Sequence, residues 1–253
     1  MILLRSILFN ILFYLNVVLH LLIALPAMAM SPQAVVGVAK QWGRVNLWLL
    51  RRICRLEVEW QGLEKIPPGG LIVASKHQSA WETFALLTIL EDPIFVLKRE
   101  LMWIPVFGWC MRKAGMIPVD RGAGRAALSG MTARVRHALA DGRQIIIFPE
   151  GTRRPPGAPP KYKVGIAFVY EDSAAPCVPI ALNSGLFWPR RRFLRFPGTV
   201  RVEILDPIAP GLDREAFFAK LQHDIETATA RLIAEGAREL GPEGSAHFAR
   251  ARG

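Results

Sequence analysis

Residues 144–154 read QIIIFPEGTRR, an apolar run that is followed at once by a turn and two arginines. The first four residues predict a buried strand, and Pro149 with Gly151 predicts a tight turn directly after it. Open α/β sheets bind ligands at the carboxyl ends of their strands, and arginine recognises phosphate through paired hydrogen bonds. We therefore expect Arg153 and Arg154 to form an anion-binding site. A basic surface turn without a ligand is the simpler alternative.

The same change from an apolar run to a turn recurs along the chain. Short β-rich runs occupy residues 56–60, 71–74, 94–97, 116–119, 144–148, 178–182 and 200–205, and helical patterns occupy residues 81–90, 101–113, 125–140, 164–171 and 214–240. This alternation is typical of an α/β fold with a mostly parallel sheet flanked by helices. Since no periodicity follows residue 240, we divide the chain into an N-terminal membrane anchor (1–55), one α/β domain (56–240) and a flexible tail (241–253).

The composition limits the classes of protein to which the chain can belong. Of its 253 residues 51% are hydrophobic, which excludes a disordered chain. Its three cysteines exclude a disulfide scaffold. Lys and Arg together number 32 against 21 Asp and Glu, which gives a net charge of +11. This balance favours an anionic partner: a nucleic acid, an anionic membrane surface or a substrate that carries phosphate.

The N-terminal segment is the most apolar part of the chain. Twenty-four of the first thirty residues are apolar, and Arg5 is the only charged residue among them. A helix over residues 3–25 would be about 35 Å long, enough to cross the hydrocarbon core of a bilayer. Residues 33–55 predict an amphipathic helix on anionic headgroups. Three interpretations remain: a membrane-spanning helix, a two-helix hairpin embedded in one leaflet, or a signal peptide cleaved near residues 27–29.

A second block with possible chemistry reads KHQSAWE, residues 76–82, between a predicted strand and a predicted helix. Ser79, followed three residues later by Glu82, fits a capping box at the start of that helix. In a second interpretation, the Glu82 carboxylate holds one ring nitrogen of His77, and the other nitrogen is free to take a proton from a hydroxyl. Both interpretations are compatible with one local fold.

Two further blocks belong to strands of the same predicted sheet. Residues 98–108 read KRELMWIPVFG, so that Lys98 and Arg99 add positive charge just past a strand, while Pro105 and Gly108 mark turns of the backbone. Residues 178–182 read VPIAL, an apolar strand that we assign to the core or to an acyl pocket.

In this order, the four blocks resemble the membrane-associated glycerolipid acyltransferases, and most closely the 1-acyl-sn-glycerol-3-phosphate (lysophosphatidic acid) acyltransferase family. That family carries a His-x4-Asp block, a Lys-x2-Leu…Pro-x2-Gly block, a Phe-Pro-Glu-Gly-Thr-Arg block and a Val-Pro-Ile block, usually behind an apolar N-terminal anchor. The resemblance extends over residues 71–182. The chain departs from the family at two positions: Glu82 replaces the usual Asp and retains its charge, and Lys76 replaces a frequent Asn.

The resemblance implies transfer of an acyl chain from acyl-CoA or acyl-carrier protein to the sn-2 hydroxyl of lysophosphatidic acid, giving phosphatidic acid in phospholipid biosynthesis. It implies that His77 is the general base, and that Glu82 orients it. The implied substrate-binding residues are Lys98, Glu150, Gly151, Thr152 and Arg153, with Lys98 and Arg153 on the phosphate. Main-chain N–H groups near the start of the helix after His77 are expected to stabilise the oxyanion. The resemblance implies no metal, and no cofactor besides the acyl donor as co-substrate.

The resemblance also implies partners and a location. We expect the chain to bind membrane lipids, lysophosphatidic acid and the acyl donor, but no nucleic acid. We place it at the inner (cytoplasmic) membrane, with its catalytic domain facing the cytoplasm. Basic clusters at residues 51–55 and 190–195 are expected to dock on anionic lipid, with a solvated charge run as the alternative.

Other functions fit parts of the same pattern. Two other acceptors fit the same chemistry, a lyso-ornithine lipid and glycerol 3-phosphate. In another class, the chain is a non-catalytic lipid-binding protein in which Glu82 marks lost activity. A nucleic-acid binder is disfavoured because the basic residues lie beside an apolar anchor and no nucleic-acid-binding motif occurs.

Overall fold

The structure is a computed structural model, and it describes residues 1–120 and 124–252. The strands are β1 (Leu56–Gln61), β2 (Leu71–Ser75), β3 (Pro93–Lys98), β4 (Ile117–Val119), β5 (Gln144–Ile147), β6 (Cys177–Leu182) and β7 (Gly198–Ile204). Each of the predicted strands is confirmed, with bounds that differ by two residues at most.

The strands form one sheet in the order β1-β7-β6-β2-β5-β3-β4. Neighbouring strands are parallel except β6 and β7, which confirms the predicted, mostly parallel α/β sheet. All residues of β2, β5 and β6 are buried, as expected for central strands that helices cover on both faces. The order places the carboxyl ends of β2, β5 and β3 side by side, so that the loops after them can form one site.

The helices pack on this sheet or precede it. They are α1 (Ile2–Ala27), α2 (Pro32–Leu49), α3 (Glu82–Ala85), α4 (Phe107–Lys113), α5 (Gly124–Ala140), α6 (Gly165–Ser173), α7 (Ser184–Phe187), α8 (Arg214–Ala237) and α9 (Pro242–Arg252). Turns of 3-10 helix occur at Leu63–Lys65, Leu86–Thr88 and Arg99–Trp103, and a π-helical turn at Leu50–Cys54 extends α2. The predicted α8 begins after Asp213, whose side chain accepts a hydrogen bond from the N–H of Ala216 as an N-cap does.

The prediction of one helix over residues 101–113 was wrong. The chain forms a 3-10 turn, then an irregular stretch at Pro105 and Val106, and then α4. Pro105 has no N–H to donate to a helix, and Val106 has a φ of 61°, so that a continuous helix is broken here. Gly108 lies against the backbone of Met102, where an added Cβ would be 2.2 Å from the carbonyl oxygen. The proline and the glycine thus fold this block tightly onto itself.

Within the segment that we predict to be a flexible tail, residues 242–252 form α9. The helix begins at Pro242, where a missing N–H is harmless because the first turn leaves its N–H groups unpaired. The hydroxyl of Ser245 donates a 3.2 Å hydrogen bond to the carbonyl oxygen of Leu240, just before the helix. The division of the chain into residues 1–55, 56–240 and 241–253 stays a prediction.

Helix α1 has two unlike faces. Its buried face includes the polar residues Ser6, Asn16 and His20. The opposite face exposes large apolar side chains, among them Leu3, Leu4, Ile7, Leu8, Ile11, Leu15, Val18, Leu19, Leu22 and Ile23. Among the described helices, only this one is long and apolar enough to cross a membrane.

Helix α1 contacts the sheet domain near both of its ends. Near its start, the Ser6 hydroxyl oxygen accepts a 2.9 Å hydrogen bond from the main-chain N–H of Arg195. Just past its end, the sulfur of Met28 lies 3.8 Å from the sulfur of Cys110 in α4. Helix α1 therefore runs along the sheet domain rather than away from it.

Candidate active site

The candidate site lies where the loops after β2 and β5 meet. These strands pair in parallel, with Ala74 opposite Ile147, so that their carboxyl ends are adjacent. The main-chain N–H of Arg154 donates a 2.8 Å hydrogen bond to the carbonyl oxygen of His77. The structure therefore brings the KHQSAWE and FPEGTRR blocks into direct contact.

His77 is held by Glu82. Its Nδ1 lies 2.9 Å from Oε1 of the Glu82 carboxylate, which is fully buried, while the His77 side chain is 13% exposed. Because Nδ1 is hydrogen-bonded to Glu82, Nε2 is the ring nitrogen that can contact a substrate. A carboxylate in this position fixes the imidazole tautomer and stabilises the imidazolium that forms when Nε2 takes a proton.

The Glu82 carboxylate is itself fixed by several donors. Its Oε1 accepts hydrogen bonds from the main-chain N–H groups of Gln78, at 2.6 Å, and Ser79, at 2.7 Å. Its Oε2 accepts the hydroxyl of Ser184 at 2.8 Å. Hydrogen bonds to an ionised acceptor are stronger than neutral ones, and both oxygens have them here. The carboxylate therefore has one well-defined orientation toward His77.

The capping-box interpretation holds in part. The Glu82 carboxylate reaches the N–H of Ser79, as a capping box requires. However, α3 begins only at Glu82, and the hydroxyl of Ser79 accepts the N–H of Trp81 at 3.1 Å. These contacts occupy the N–H groups of Gln78, Ser79 and Trp81. These three N–H groups thus have partners within the chain, and the expectation that N–H groups near this helix start stabilise an oxyanion stays a prediction.

The ring of His77 stacks on Phe148, the first residue after β5. The two ring centroids are 3.9 Å apart and the planes differ by 15°. Phe148 stacks in turn on Phe95 of β3, at 5.9 Å and 21°. The aromatic contact covers one face of the imidazole and restricts its rotation, so that the edge carrying Nε2 is the part left for chemistry.

The turn after Phe148 presents the predicted arginines. Gly151 has a φ of 65°, in the left-handed region that favours glycine. Its N–H closes the turn with a 2.9 Å hydrogen bond to the carbonyl oxygen of Phe148. Thr152 is exposed at the tip. In the described part of the chain, no carboxylate pairs with the guanidinium of Arg153, which leaves this group available to an anion.

Arg190 joins the same positive edge. Its Nη1 donates a 2.9 Å hydrogen bond to the carbonyl oxygen of Arg153. Burial, and then the like charges of Arg191, Arg153 and Arg154, lower the pKa of Arg190 from its ordinary value. Like charges at one place are unfavourable until an anion neutralises them. We call Arg153, Arg154, Arg190 and Arg191 the arginine edge.

Two predicted substrate-binding residues have other partners in the structure. The side chain of Glu150 is 1% exposed, and its Oε2 lies 3.1 Å from Nζ of Lys76, so that the carboxylate faces the interior. Burial raises the pKa of Glu150, and the Lys76 ammonium opposes that shift. Lys98, at the end of β3, is half-exposed and pairs with Glu100 at 2.9 Å. Their roles toward a substrate stay predictions.

Ser184 is a site residue that the sequence interpretation missed. It follows β6, and β6 neighbours β2 only in the three-dimensional order of the sheet. That order brings its hydroxyl to Glu82 over 102 residues of chain. In the sequence, the only indication of a role for Ser184 was that a polar residue lies just past the VPIAL strand, at the edge of the sheet where ligands bind. Arg190 was predicted as part of a lipid-docking cluster but not as a neighbour of Arg153.

The arrangement places an imidazole that is oriented by a carboxylate beside a cationic edge. Such an arrangement can remove a proton from a hydroxyl that lies next to a bound anion. Among residues 1–120 and 124–252, no group of three or more His, Cys, Asp or Glu side chains could hold a metal ion.

Comparison with known proteins gives one family. A family model described as Acyltransferase matches residues 57–183. The 1-acyl-sn-glycerol-3-phosphate acyltransferase of Pseudomonas aeruginosa is 34% identical over 205 residues, which cover 81% of this chain and 78% of that protein. The human 1-acyl-sn-glycerol-3-phosphate acyltransferase alpha is 28% identical over 200 residues, covering 76% of this chain and 71% of that protein.

A solved structure has the same fold. The crystal structure of the 1-acyl-sn-glycerophosphate (LPA) acyltransferase PlsC from Thermotoga maritima superposes with a TM-score of 0.75. The match covers 92% of this chain and 99% of that one, at 21% sequence identity.

Proposed function

The chain belongs to the acyltransferase family that includes the 1-acyl-sn-glycerol-3-phosphate acyltransferases, and we propose that it acylates the sn-2 hydroxyl of lysophosphatidic acid. The acyl donor is acyl-CoA or acyl-carrier protein, and the product is phosphatidic acid. One observation carries this proposal: the general base and the arginine edge are joined by the hydrogen bond from Arg154 to His77. In lysophosphatidic acid the phosphate and the free hydroxyl are on neighbouring carbons, so a base and a phosphate site must lie close together.

The geometry supports a direct transfer between donor and acceptor. Nε2 of His77 takes the proton of the sn-2 hydroxyl as that oxygen attacks the thioester carbonyl carbon. A C–O bond forms, and collapse of the tetrahedral intermediate breaks the C–S bond. The imidazolium, stabilised by Glu82, returns the proton to the leaving thiolate. The products are the ester and the free thiol.

The acceptor phosphate is assigned to the arginine edge. Arg153 has no carboxylate partner among the described residues, and its guanidinium has the planar fork that fits a phosphate. The turn at Gly151 and Thr152 shapes the loop that presents it. Glu150 holds this loop from the interior, and Lys98 adds positive charge at the neighbouring strand end.

The contacts of α1 favour one of the three interpretations of the N-terminal segment: a hairpin of α1 and α2 embedded in a single leaflet. The sheet domain packs on α1 near Ser6 and again beside Met28. A helix that crossed a bilayer would draw this charged domain into the hydrocarbon, where charges are strongly disfavoured. The exposed apolar face of α1 suits insertion from one side. Cleavage near residue 28 would strip away Phe9, which is fully buried in the core. We place the protein at the cytoplasmic membrane, with this domain in the cytoplasm.

Labelling of single cysteines tests that topology. A cysteine placed before Met1 and the variant Ser31→Cys mark the two ends of α1, and the native cysteines are buried. In sealed membrane vesicles, a hairpin in one leaflet predicts that both ends react with an impermeant thiol reagent from the same side. Reaction from opposite sides would show a spanning helix, and absence of residues 1–29 from the mature protein would show cleavage.

An acceptor comparison tests the proposed function. The protein in detergent is supplied with acyl-CoA or acyl-carrier protein and with lysophosphatidic acid, monoacylglycerol, glycerol 3-phosphate or lyso-ornithine lipid. We expect kcat/KM to be highest for lysophosphatidic acid. A higher value for an acceptor without phosphate would contradict the role of the arginine edge, and no acylation of any acceptor by either donor would favour the lipid-binding alternative.

A further inference from the structure

A buried ammonium group lies directly behind the site. Lys76, the residue before His77, has a side chain that is 3% exposed. Its Nζ lies 2.6 Å from Oε1 of Glu226 and 3.1 Å from Oε2 of Glu150. The hydroxyl of Tyr162 donates to the same Glu226 oxygen at 2.9 Å, and its ring centroid is 5.8 Å from the ammonium. We call Lys76, Glu150, Glu226 and Tyr162 the Lys76 cluster.

The cluster joins four separate parts of the chain. Lys76 follows β2, Glu150 belongs to the arginine-bearing loop, Tyr162 precedes α6, and Glu226 lies in α8. The segment around Tyr162 is also tied to that loop by a 2.9 Å hydrogen bond from the N–H of Lys163 to the carbonyl oxygen of Pro149. The position of the loop therefore depends on main-chain hydrogen bonds and also on the contacts of this one ammonium group.

The charges of the cluster require that ammonium. Two carboxylates face the Lys76 ammonium, while Nε of Arg154 lies at a longer distance, 4.0 Å, from Oε1 of Glu150. A buried charge is strongly unfavourable without a close partner. Burial raises the pKa of Glu150, the Lys76 ammonium lowers it, and the charge of Glu226 raises it again. Without Lys76, the two carboxylates would repel each other, and Glu150 would either take up a proton or move outward with its loop.

We propose that Lys76 is a positioning residue for the acceptor: it holds Glu150 and thereby fixes the loop on which Arg153 meets the acceptor phosphate. This inference rests on the proposed function. The Asn frequent at this position in the resembling family carries no charge and cannot neutralise a second carboxylate. We therefore expect Lys76 and Glu226 to act as a pair in this chain, in which the Lys76 ammonium neutralises the Glu226 carboxylate.

The proposal predicts a selective kinetic defect. In Lys76→Asn, the KM for lysophosphatidic acid rises about tenfold or more, as expected for loss of a coupled buried contact. The KM for the acyl donor stays within about twofold of the wild-type value. In Lys76→Asn/Glu226→Gln the repulsion between the two carboxylates is removed as well, and the amide of the new asparagine can donate a hydrogen bond to Glu150, so the KM for lysophosphatidic acid returns most of the way to the wild-type value.

Steady-state kinetics on the full chain in detergent tests these expectations. Asp224→Asn is the matched control, because Asp224 is a carboxylate of the same helix whose one ion pair among the described residues is with Lys220 at the surface. We expect it to leave both KM values unchanged. If Lys76→Asn fails to fold, Tyr162→Phe removes only one hydroxyl from the cluster and is expected to raise the acceptor KM about two- to fivefold.

Three results bear against the proposal in different ways. Unchanged acceptor KM in folded Lys76→Asn would overturn it. A fall in kcat with equal changes in both KM values, not relieved in the double variant, would show a merely structural role and would overturn it too. Failure of the wild-type protein to acylate lysophosphatidic acid, with good turnover of another acceptor, would instead refute the proposed function.

Discussion

The main-chain N–H of Arg154 donates a 2.8 Å hydrogen bond to the carbonyl oxygen of His77. This bond joins the arginine edge to the proposed general base through main-chain atoms alone, so it does not depend on either side chain. Substitutions in the arginine edge should therefore affect binding of the phosphate, whereas substitutions at His77 or Glu82 should affect removal of the proton.

Glu82→Gln is expected to lower kcat at least about a hundredfold, because the neutral amide cannot stabilise the imidazolium of His77. The KM for lysophosphatidic acid should change little, since Glu82 is fully buried and lies behind the ring. Glu64→Gln, a change of the same type at an exposed position, serves as the control. A kcat for Glu82→Gln close to that of the control would remove Glu82 from the mechanism.

Ser184→Ala deletes the hydroxyl that donates to Oε2 of Glu82. A hydrogen bond of this kind contributes about 1 kcal/mol, so we expect kcat to fall about fivefold at unchanged acceptor KM. Steady-state kinetics measures both constants, with Ser245→Ala in α9 as the matched change. An unaltered kcat would mean that the main-chain donors at Gln78 and Ser79 orient Glu82 without help.

Arg153→Ala should raise the KM for lysophosphatidic acid between about tenfold and a hundredfold, because a guanidinium–phosphate contact is a strong charged hydrogen bond. The residual rate with monoacylglycerol, which has no phosphate, should not change. Arg134→Ala removes an exposed arginine from α5 and controls for the loss of net charge. Equal losses on both acceptors would contradict the assignment of the phosphate to Arg153.

Gly108→Ala should destabilise the fold by about 1–3 kcal/mol, since the new Cβ would meet the carbonyl oxygen of Met102 at 2.2 Å. Gly130→Ala, in α5, meets nothing within 4 Å and should stabilise the fold by up to about 1 kcal/mol. Denaturant unfolding in detergent measures both changes. A Gly108→Ala variant as stable as the wild type would show that the block tolerates a wider turn.

The sequence was most informative where local pattern and local structure coincide. Each strand was predicted because an apolar run in a parallel sheet is buried on both faces and ends in turn residues. The contact between His77 and Glu82 was predictable because the two residues are only five positions apart, so that a local turn is enough to bring them together. The strand that begins at Gln144 is confirmed, and the turn at Gly151 and the two arginines follow it directly in sequence, so their position at the end of that strand was predictable as well.

Long-range relationships were beyond the sequence pattern. Ser184 reaches Glu82 only through the order of strands, and Lys76 reaches Glu226 across 150 residues of chain. From the sequence alone, Lys76 has no feature that distinguishes it from an exposed lysine. Its two carboxylate partners, Glu150 and Glu226, are far away in sequence and are brought to it only by the fold. The helix at residues 242–252 was missed because it has no regular apolar stripe, and helix formation there depends on its neighbours.

The central claim is that His77 removes the proton of the acceptor hydroxyl. It is tested most directly by comparing His77→Ala with His223→Ala, which alters an exposed histidine of α8, in acyl transfer from acyl-CoA to lysophosphatidic acid. We predict that His77→Ala loses at least about a hundredfold in kcat, retains the wild-type affinity for lysophosphatidic acid and remains folded. His223→Ala should retain the wild-type rate. Phosphatidic acid formed at the wild-type rate by folded His77→Ala would contradict the account.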